Sequence, residues 1–183
     1  MAEPMAGIIP EVYSQHLEEF AFLWQQRQKA LRSPDYYLPD VASLEKRIEA
    51  HLDGLLLPGE AAVTVLERYL QGDDPTAMFA AAYVMLRLES QEAAKQVLET
   101  FLKAVAENVD SLREALCHAP IRLLEEGIHD AASSAEPLVA AAATEVLLSH
   151  RRPEGVVDRL NEFLQHAEPA VRRAGWRIVA LRG

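Results

Sequence analysis

The residues able to do chemistry are few, and their spacing is wrong for most of it. Six histidines are present, His16, His51, His118, His129, His150 and His166. No two of them stand four apart around a glutamate, the spacing that puts two imidazoles on one helix face for zinc. Cys117 and His118 are neighbours, and on a helix neighbouring side chains diverge by about 100°. They therefore do not form a nucleophile and its base. The acidic pairs Glu18-Glu19, Asp73-Asp74 and Glu125-Glu126 could supply an acid and a base, but adjacent carboxylates on a helix also diverge. Asp73-Asp74 reads as turn and helix cap instead. There is no glycine-rich phosphate loop, no GxSxG elbow and no CxxC. The expectation is a chain with no catalytic residues, no metal and no cofactor, whose histidines are structural or surface groups. His16 and His51 are expected to make contacts within the N-terminal segment.

The elements that carry these residues repeat. Ala-, Leu-, Glu- and Gln-rich stretches are punctuated by Gly and Pro, the pattern of helices joined by short turns. Helices starting near Pro58, Ser90, Pro120 and Pro153 align at offsets of 32, 30 and 32. Leu66, Leu98, Ile128 and Leu160 then coincide, as do Leu70, Leu102, Ala132 and Leu164. Tyr69, Phe101 and Phe163 share a position, held by Ala131 in the third copy. The same offsets align a second helix in each copy. There Ala80, Leu112, Ala142 and Ala174 coincide, and so do Val84, Leu116, Val146 and Ile178. Shared positions three or four apart make one apolar face. A single hairpin cannot bury that face, so hairpins stack. Pro75, Pro137 and Pro169 suit a first helical turn, Asp74 an N-cap and Gly72 a C′ position. Ser111 with Glu114 reads as a capping box. The expected fold is all-α: a HEAT-like α-solenoid of about four hairpins (58–89, 90–119, 120–152 and 153–183) behind a helical cap over 1–57, packed as one domain.

Two features suit binding. The second helices at 77–88 (AMFAAAYVMLRL) and 138–148 (LVAAAATEVLL) are apolar almost all round. In HEAT-like solenoids such helices line the concave face. Met78, Phe79, Met85, Leu147 and Trp176 fall opposite the shared buried positions. They either pack between hairpins and against the cap, or line an apolar groove for a partner helix or extended segment. Arg151, Arg152, Arg172, Arg173 and Arg177 form a basic C-terminal patch. It serves either inter-repeat pairing, such as Glu168 with Arg172, or an anion or acidic partner.

Bulk properties narrow the classes. Half of the 183 residues are apolar and a quarter charged, a globular balance. Net charge is −10, but unevenly spread. Residues 1–150 carry 11 basic and 24 acidic side chains, whereas residues 151–183 carry seven arginines and four acids. An acidic chain lacks the footprint of a nucleic-acid binder. No run of eighteen apolar residues offers a membrane span. The N-terminus lacks the basic and apolar regions of a signal peptide, and a single cysteine suits a reducing cytoplasm. Trp176, Ile178, Val179 and Leu181 in the last helix would be exposed at the end of the stack. They point to a covering continuation, a partner, or a homodimer through the last hairpin.

Pro10 to about Arg32 reads as one helix with Tyr13, Leu17, Phe20, Trp24 and Leu31 in a stripe. After Ser33-Pro34 and a Tyr36-Tyr37 loop, Asp40 caps a helix with Val41, Leu44, Ile48, Leu52 and Leu55 on one side. The run IIPEVYSQHLEEFAFLWQQRQKALRSPDYYLPD, then LEKRIEAHLDGLLLPGEAA, resembles the start of a family of bacterial HEAT-like proteins. Their genes often lie near type VI secretion genes. The matching residues include Ile9, Pro10, His16, Glu18, Phe22, Leu23, Trp24 and Arg27. Further along they are His51, Leu52, Asp53, Gly54, Gly59 and Glu60. The resemblance is best over 8–62. EPAVRRAGWRIVAL near the C-terminus is also similar to repeats of phycobilin-lyase-type proteins. Members are longer, which implies that this chain is an N-terminal portion. The family brings no catalytic residues. It implies a protein-binding adaptor, chaperone or accessory factor for a secreted effector. The alternatives are a HEAT-like enzyme (a bilin lyase or DNA glycosylase) and a structural dimerising part.

Overall fold

The computed structural model describes residues 8–152 and 158–182. Among these the backbone forms ten α-helices and one 3-10 turn, with no strand. Helices α1 (Pro10–Ala30) and α2 (Leu38–Leu56) come first. The 3-10 turn Gly59–Ala62 then leads into four pairs. These are α3 (Val63–Leu70) with α4 (Pro75–Arg87), and α5 (Gln91–Leu102) with α6 (Ala106–His118). They continue as α7 (Glu125–Ala132) with α8 (Pro137–Ser149), and α9 (Leu160–Gln165) with α10 (Pro169–Arg182). No described helix is long and apolar enough to cross a membrane.

The helix starts follow local chemistry. Pro10, Pro75, Pro137 and Pro169 each open a helix, where the missing N–H is not needed. The Asp74 carboxylate accepts the Thr76 N–H at 2.9 Å, a true N-cap. Asp40 sits three residues inside α2 and accepts the N–H of Tyr37 at 2.9 Å, so it secures the helix start from within. Two ends were not foreseeable. Glu89 (φ 53°) and Arg151 (φ 57°) are left-handed without being glycine. They stand at equivalent places after α4 and α8. A left-handed non-glycine costs about 1–2 kcal/mol; after α8 the N–H groups of Arg151 and Arg152 donate back to the carbonyls of Leu148 and Leu147 at 2.9 and 2.8 Å, which closes the helix end.

Packing runs through the second helices. α4 packs on α6, α6 on α8 and α8 on α10, while α3, α7 and α9 each pack on the second helix of their own pair. Ala80, Leu112, Ala142 and Ala174 are all fully buried, as are Val84, Leu116, Val146 and Ile178. The alanine run Ala140–Ala143 lets α8 approach neighbours on several sides. α1 packs on both α2 and α4, and its Tyr13, Leu17, Phe20 and Trp24 are buried. Leu31, at the end of the same stripe, is exposed.

Several expectations change. Ser111 lies five residues inside α6 rather than at its start, so there is no Ser111–Glu114 capping box. α7 begins at Glu125, because Ile121 and Leu124 are buried in a turn before it. The expected start near Pro153 lies outside the described residues. The first-helix register also fails in part. Phe101 and Phe163 are buried, but Leu102 is 44 % exposed, since α5 presents Val97 and Phe101 inward.

Candidate functional site

The five residues assigned to an apolar groove do not line one groove together: Phe79 borders one opening and Met78 another, while Met85 and Leu147 border neither. Met78, Phe79, Met85 and Leu147 are buried at 2 %, 6 %, 0 % and 0 % exposure. α1 lies over α4, and Phe79 stacks on Phe20 with ring centroids 6.2 Å apart. Those helices are apolar all round because neighbours cover them on several sides. Trp176 alone is open, at 64 %, with Val179 and Leu181 also exposed on α10.

The arginines are also largely engaged within the fold. Arg177 donates from Nε to Glu145 Oε2 at 2.7 Å and from Nη2 to Asp110 Oδ1 at 3.0 Å. Arg113 donates to the other Glu145 oxygen at 2.8 Å. Glu145 is buried, and this pairing ties α6, α8 and α10 together. Burial alone would lower the Arg113 pKa, but the carboxylates, Glu145 first, raise it above its usual value. Arg172 does not pair with Glu168 as expected. Its guanidinium instead donates to the carbonyls of His166 at 2.7 Å and Ala167 at 2.6 Å, closing the end of α9. Arg152 pairs with Glu125 at 2.9 Å. Arg151 and Arg173 are exposed. Three of the five thus serve the packing of pairs.

His16 and His51 do meet inside the N-terminal helices, Nδ1 to Nδ1 at 3.1 Å. Gly54 makes room for them, since a Cβ there would stand 3.3 Å from the His16 ring. Burial, then His16 itself, lowers the His51 pKa. Burial raises the Cys117 thiol pKa, which makes it a poor nucleophile. Among the described residues no three His, Cys, Asp or Glu side chains gather in a form that could hold a metal.

One opening lies between the C-terminal half of α1, the N-terminal half of α4 and the middle of α6. It is a cleft of about 530 Å³, within the size range of ligand sites. Trp24 and Phe79 give it aromatic surface. Asp110, Ser111 and Glu114 line it from α6, and Lys29 and Arg32 from the end of α1. Trp24 Nε1 donates to Glu114 Oε1 at 2.8 Å, which fixes both side chains across the cleft. The Arg27 guanidinium lies 5.5 Å from the Trp24 ring centroid and is held by Glu45 at 2.8 Å. The lining sets carboxylates and cations around the edges of two largely covered aromatic rings.

Sequence reasoning had named Trp24 as a stripe residue, Phe79 as a groove residue, and Ser111 with Glu114 as a cap, but did not bring them together in this cleft. Trp24 and Glu114 meet across 90 residues of sequence, and no local spacing reports that. Comparison with family models, curated proteins and solved structures gives no match to this chain.

Proposed function

We propose that this chain is a non-enzymatic HEAT-like α-solenoid that acts as a scaffold or adaptor by binding another protein. The observation that carries this reading is the aromatic and charged cleft between α1 and the row α4–α6. Packing of each second helix on the next, in one shared register, is how stacked hairpins bury their faces. Such stacks present extended binding surfaces. The likeness of residues 8–62 to proteins encoded near type VI secretion genes makes a secretion effector, or a neighbouring secretion component, the partner we favour. The chain would then be an accessory factor or chaperone working in the cytoplasm.

The test uses the tagged chain as bait in nuclease-treated lysate of the source cells, beside a Ser111→Trp variant that fills the cleft. One near-stoichiometric protein retained by the wild type and lost by the variant, with helical circular dichroism unchanged, supports the reading. Equal retention by both moves the interface off the cleft. No retention by a folded bait counts against a scaffold.

A second reading has its own observation. Trp176, Val179 and Leu181 leave apolar surface on α10, which favours a homodimer through the last hairpin. Light scattering at two concentrations, repeated with Trp176→Glu, decides it. A mass that rises with concentration only in the wild type is the dimer result.

A further inference from the structure

We infer that the free face of α10 in one copy of this chain docks on the outer face of α1 in a second copy, so that copies associate end to end. This deepens the dimer reading above and rests on it.

Three observations converge. First, α10 leaves open a face that its predecessor covers. Ala141 and Leu148 of α8 belong to the apolar cluster shared with Val171, Ala174 and Ile178 of α10. Their equivalents 32 residues on, Arg173 and Ala180, are exposed. Trp176 is 64 % exposed beside them, and Val179 37 %. Arg173 and Trp176 thus stand where α8 has Ala141 and Thr144. Side chains of this size hold off a further helix of the same row, which needs small residues to approach closely. The face suits a surface with a recess for an indole and carboxylates for a guanidinium. Trp and Arg are also the side chains most enriched among interface anchors.

Second, α1 offers such a surface. Glu11, Gln15, Glu18, Phe22 and Gln25 follow at steps of four and three, so they share one helix face. All five are exposed. Phe22 is 53 % exposed, and Val12 47 %. A recess of about 280 Å³ opens between α1 and the start of α4, bordered by Glu18, Phe22, Tyr69 and Asp74. None of the described ion pairs uses Glu18 or Arg173.

Third, charge sets the orientation. α1 packs on α4, the first of the row of second helices, and α10 packs on α8 as the last. The two faces therefore belong to opposite ends of the row. α10 carries Arg172, Arg173, Arg177 and Arg182 and no acidic residue, whereas residues 1–150 carry 24 acidic side chains to 11 basic ones. A symmetric contact between two copies of α10 sets arginines against arginines. At a net charge of −10, copies repel in most orientations. Placing the arginine-bearing end of one against the acidic end of the next gains attraction instead. Such a contact is heterologous and leaves one face of each kind free for further copies.

Sedimentation velocity of the full chain over a concentration series tests this. The wild type is expected to gain mass as concentration rises, and to gain less at high salt, which screens the charges. Trp176→Glu and Phe22→Ser both change exposed side chains, so helical circular dichroism should be kept. Each should weaken association about thirtyfold, the loss expected for a central anchor. Mixed together, the two variants should form a 1:1 dimer and nothing larger, because one supplies an intact α10 face and the other an intact α1 face. Glu18→Arg and Arg173→Glu should each weaken association, and both in one chain should restore it. If Phe22→Ser associates like the wild type while Trp176→Glu does not, the end-to-end contact is overturned and the symmetric dimer remains. A mixture that stays monomeric also overturns it. A wild type that is monomeric at every concentration overturns the dimer reading as well.

Discussion

The second helices α4, α6, α8 and α10 and the first helices α3, α5, α7 and α9 share one apolar repeat, but only the second helices keep it inward in every copy. All eight shared positions of the second helices are fully buried. Among the first helices Leu66 and Ile128 are buried, Leu98 is half-buried and Leu102 is exposed. The difference comes from neighbours. A second helix such as α6 or α8 lies between two others and also contacts the first helix of its pair, so rotating it would expose apolar surface on several sides at once. Among the first helices α3, α7 and α9 lean mainly on the second helix of their own pair, whereas α5 divides its packing between α4 and α6 and turns Leu102 outward. The number of neighbouring helices, more than composition, determines how strictly a register is kept.

That contrast can be broken at several places. The largest effect is expected for Glu145→Ala. It leaves the Arg113 guanidinium, only 14 % exposed, without its shortest carboxylate partner. Removing one member of a buried pair costs about 3–5 kcal/mol. Urea unfolding followed by circular dichroism measures it, and Glu145→Gln should recover part of the loss. Next comes a matched pair of truncations. Leu116→Ala should cost about 2–5 kcal/mol as a buried cavity, whereas Leu102→Ala should stay within about 0.5 kcal/mol as a surface change. Equal costs would remove the distinction between the two layers.

Gly175→Ala sharpens the comparison at its weakest member. A Cβ there would stand 3.2 Å from the backbone nitrogen of Leu164 and 3.3 Å from the Phe163 carbonyl carbon. Backbone cannot swing aside, so α9 must shift, and overpacking of this kind costs about 1–3 kcal/mol. The loss should appear as early exchange of amide hydrogens in α9 and α10, whose core around Phe163, Val171 and Ile178 is a cluster apart from the main one. The smallest effect concerns the N-terminal helices. His51 has a folded pKa below its unfolded value, from burial and then from His16, with Arg47 adding to it and Glu19 opposing. The unfolded chain therefore binds more protons, and stability falls as pH drops below about 6.5. The urea midpoint should decline from pH 7.5 to 5.5, and less steeply in His51→Asn than in the wild type. Identical slopes would show that the pair does not couple α1 to α2.

The helices were legible because their signals are local. Pro75, Pro137 and Pro169 open helices as their chemistry requires, and Asp74 caps one. The stripe from Tyr13 to Trp24 turned inward as a 3.6-residue period demands. Legibility stopped where partners are distant in sequence. Met85 and Leu147 were candidates for a groove until the adjacent helices covered them, and Phe79 kept only an edge at the cleft. A residue's own helix says which face is apolar, but not how many neighbours share that face. Arg172 and Arg177 looked like members of one patch. The carbonyls of α9 and the carboxylate of Glu145 drew them apart.

The sequence alone determined that the described chain is helical, where α1, α4, α5, α8 and α10 begin, and which second-helix positions are buried. Each follows from backbone sterics, capping or periodicity within a few residues. Tertiary structure alone decided where the chain leaves an opening. Trp24, Phe79, Asp110 and Glu114 become neighbours only when α1 crosses α4 and reaches α6. That crossing depends on the joint burial of three helices, and no single stretch of residues encodes it.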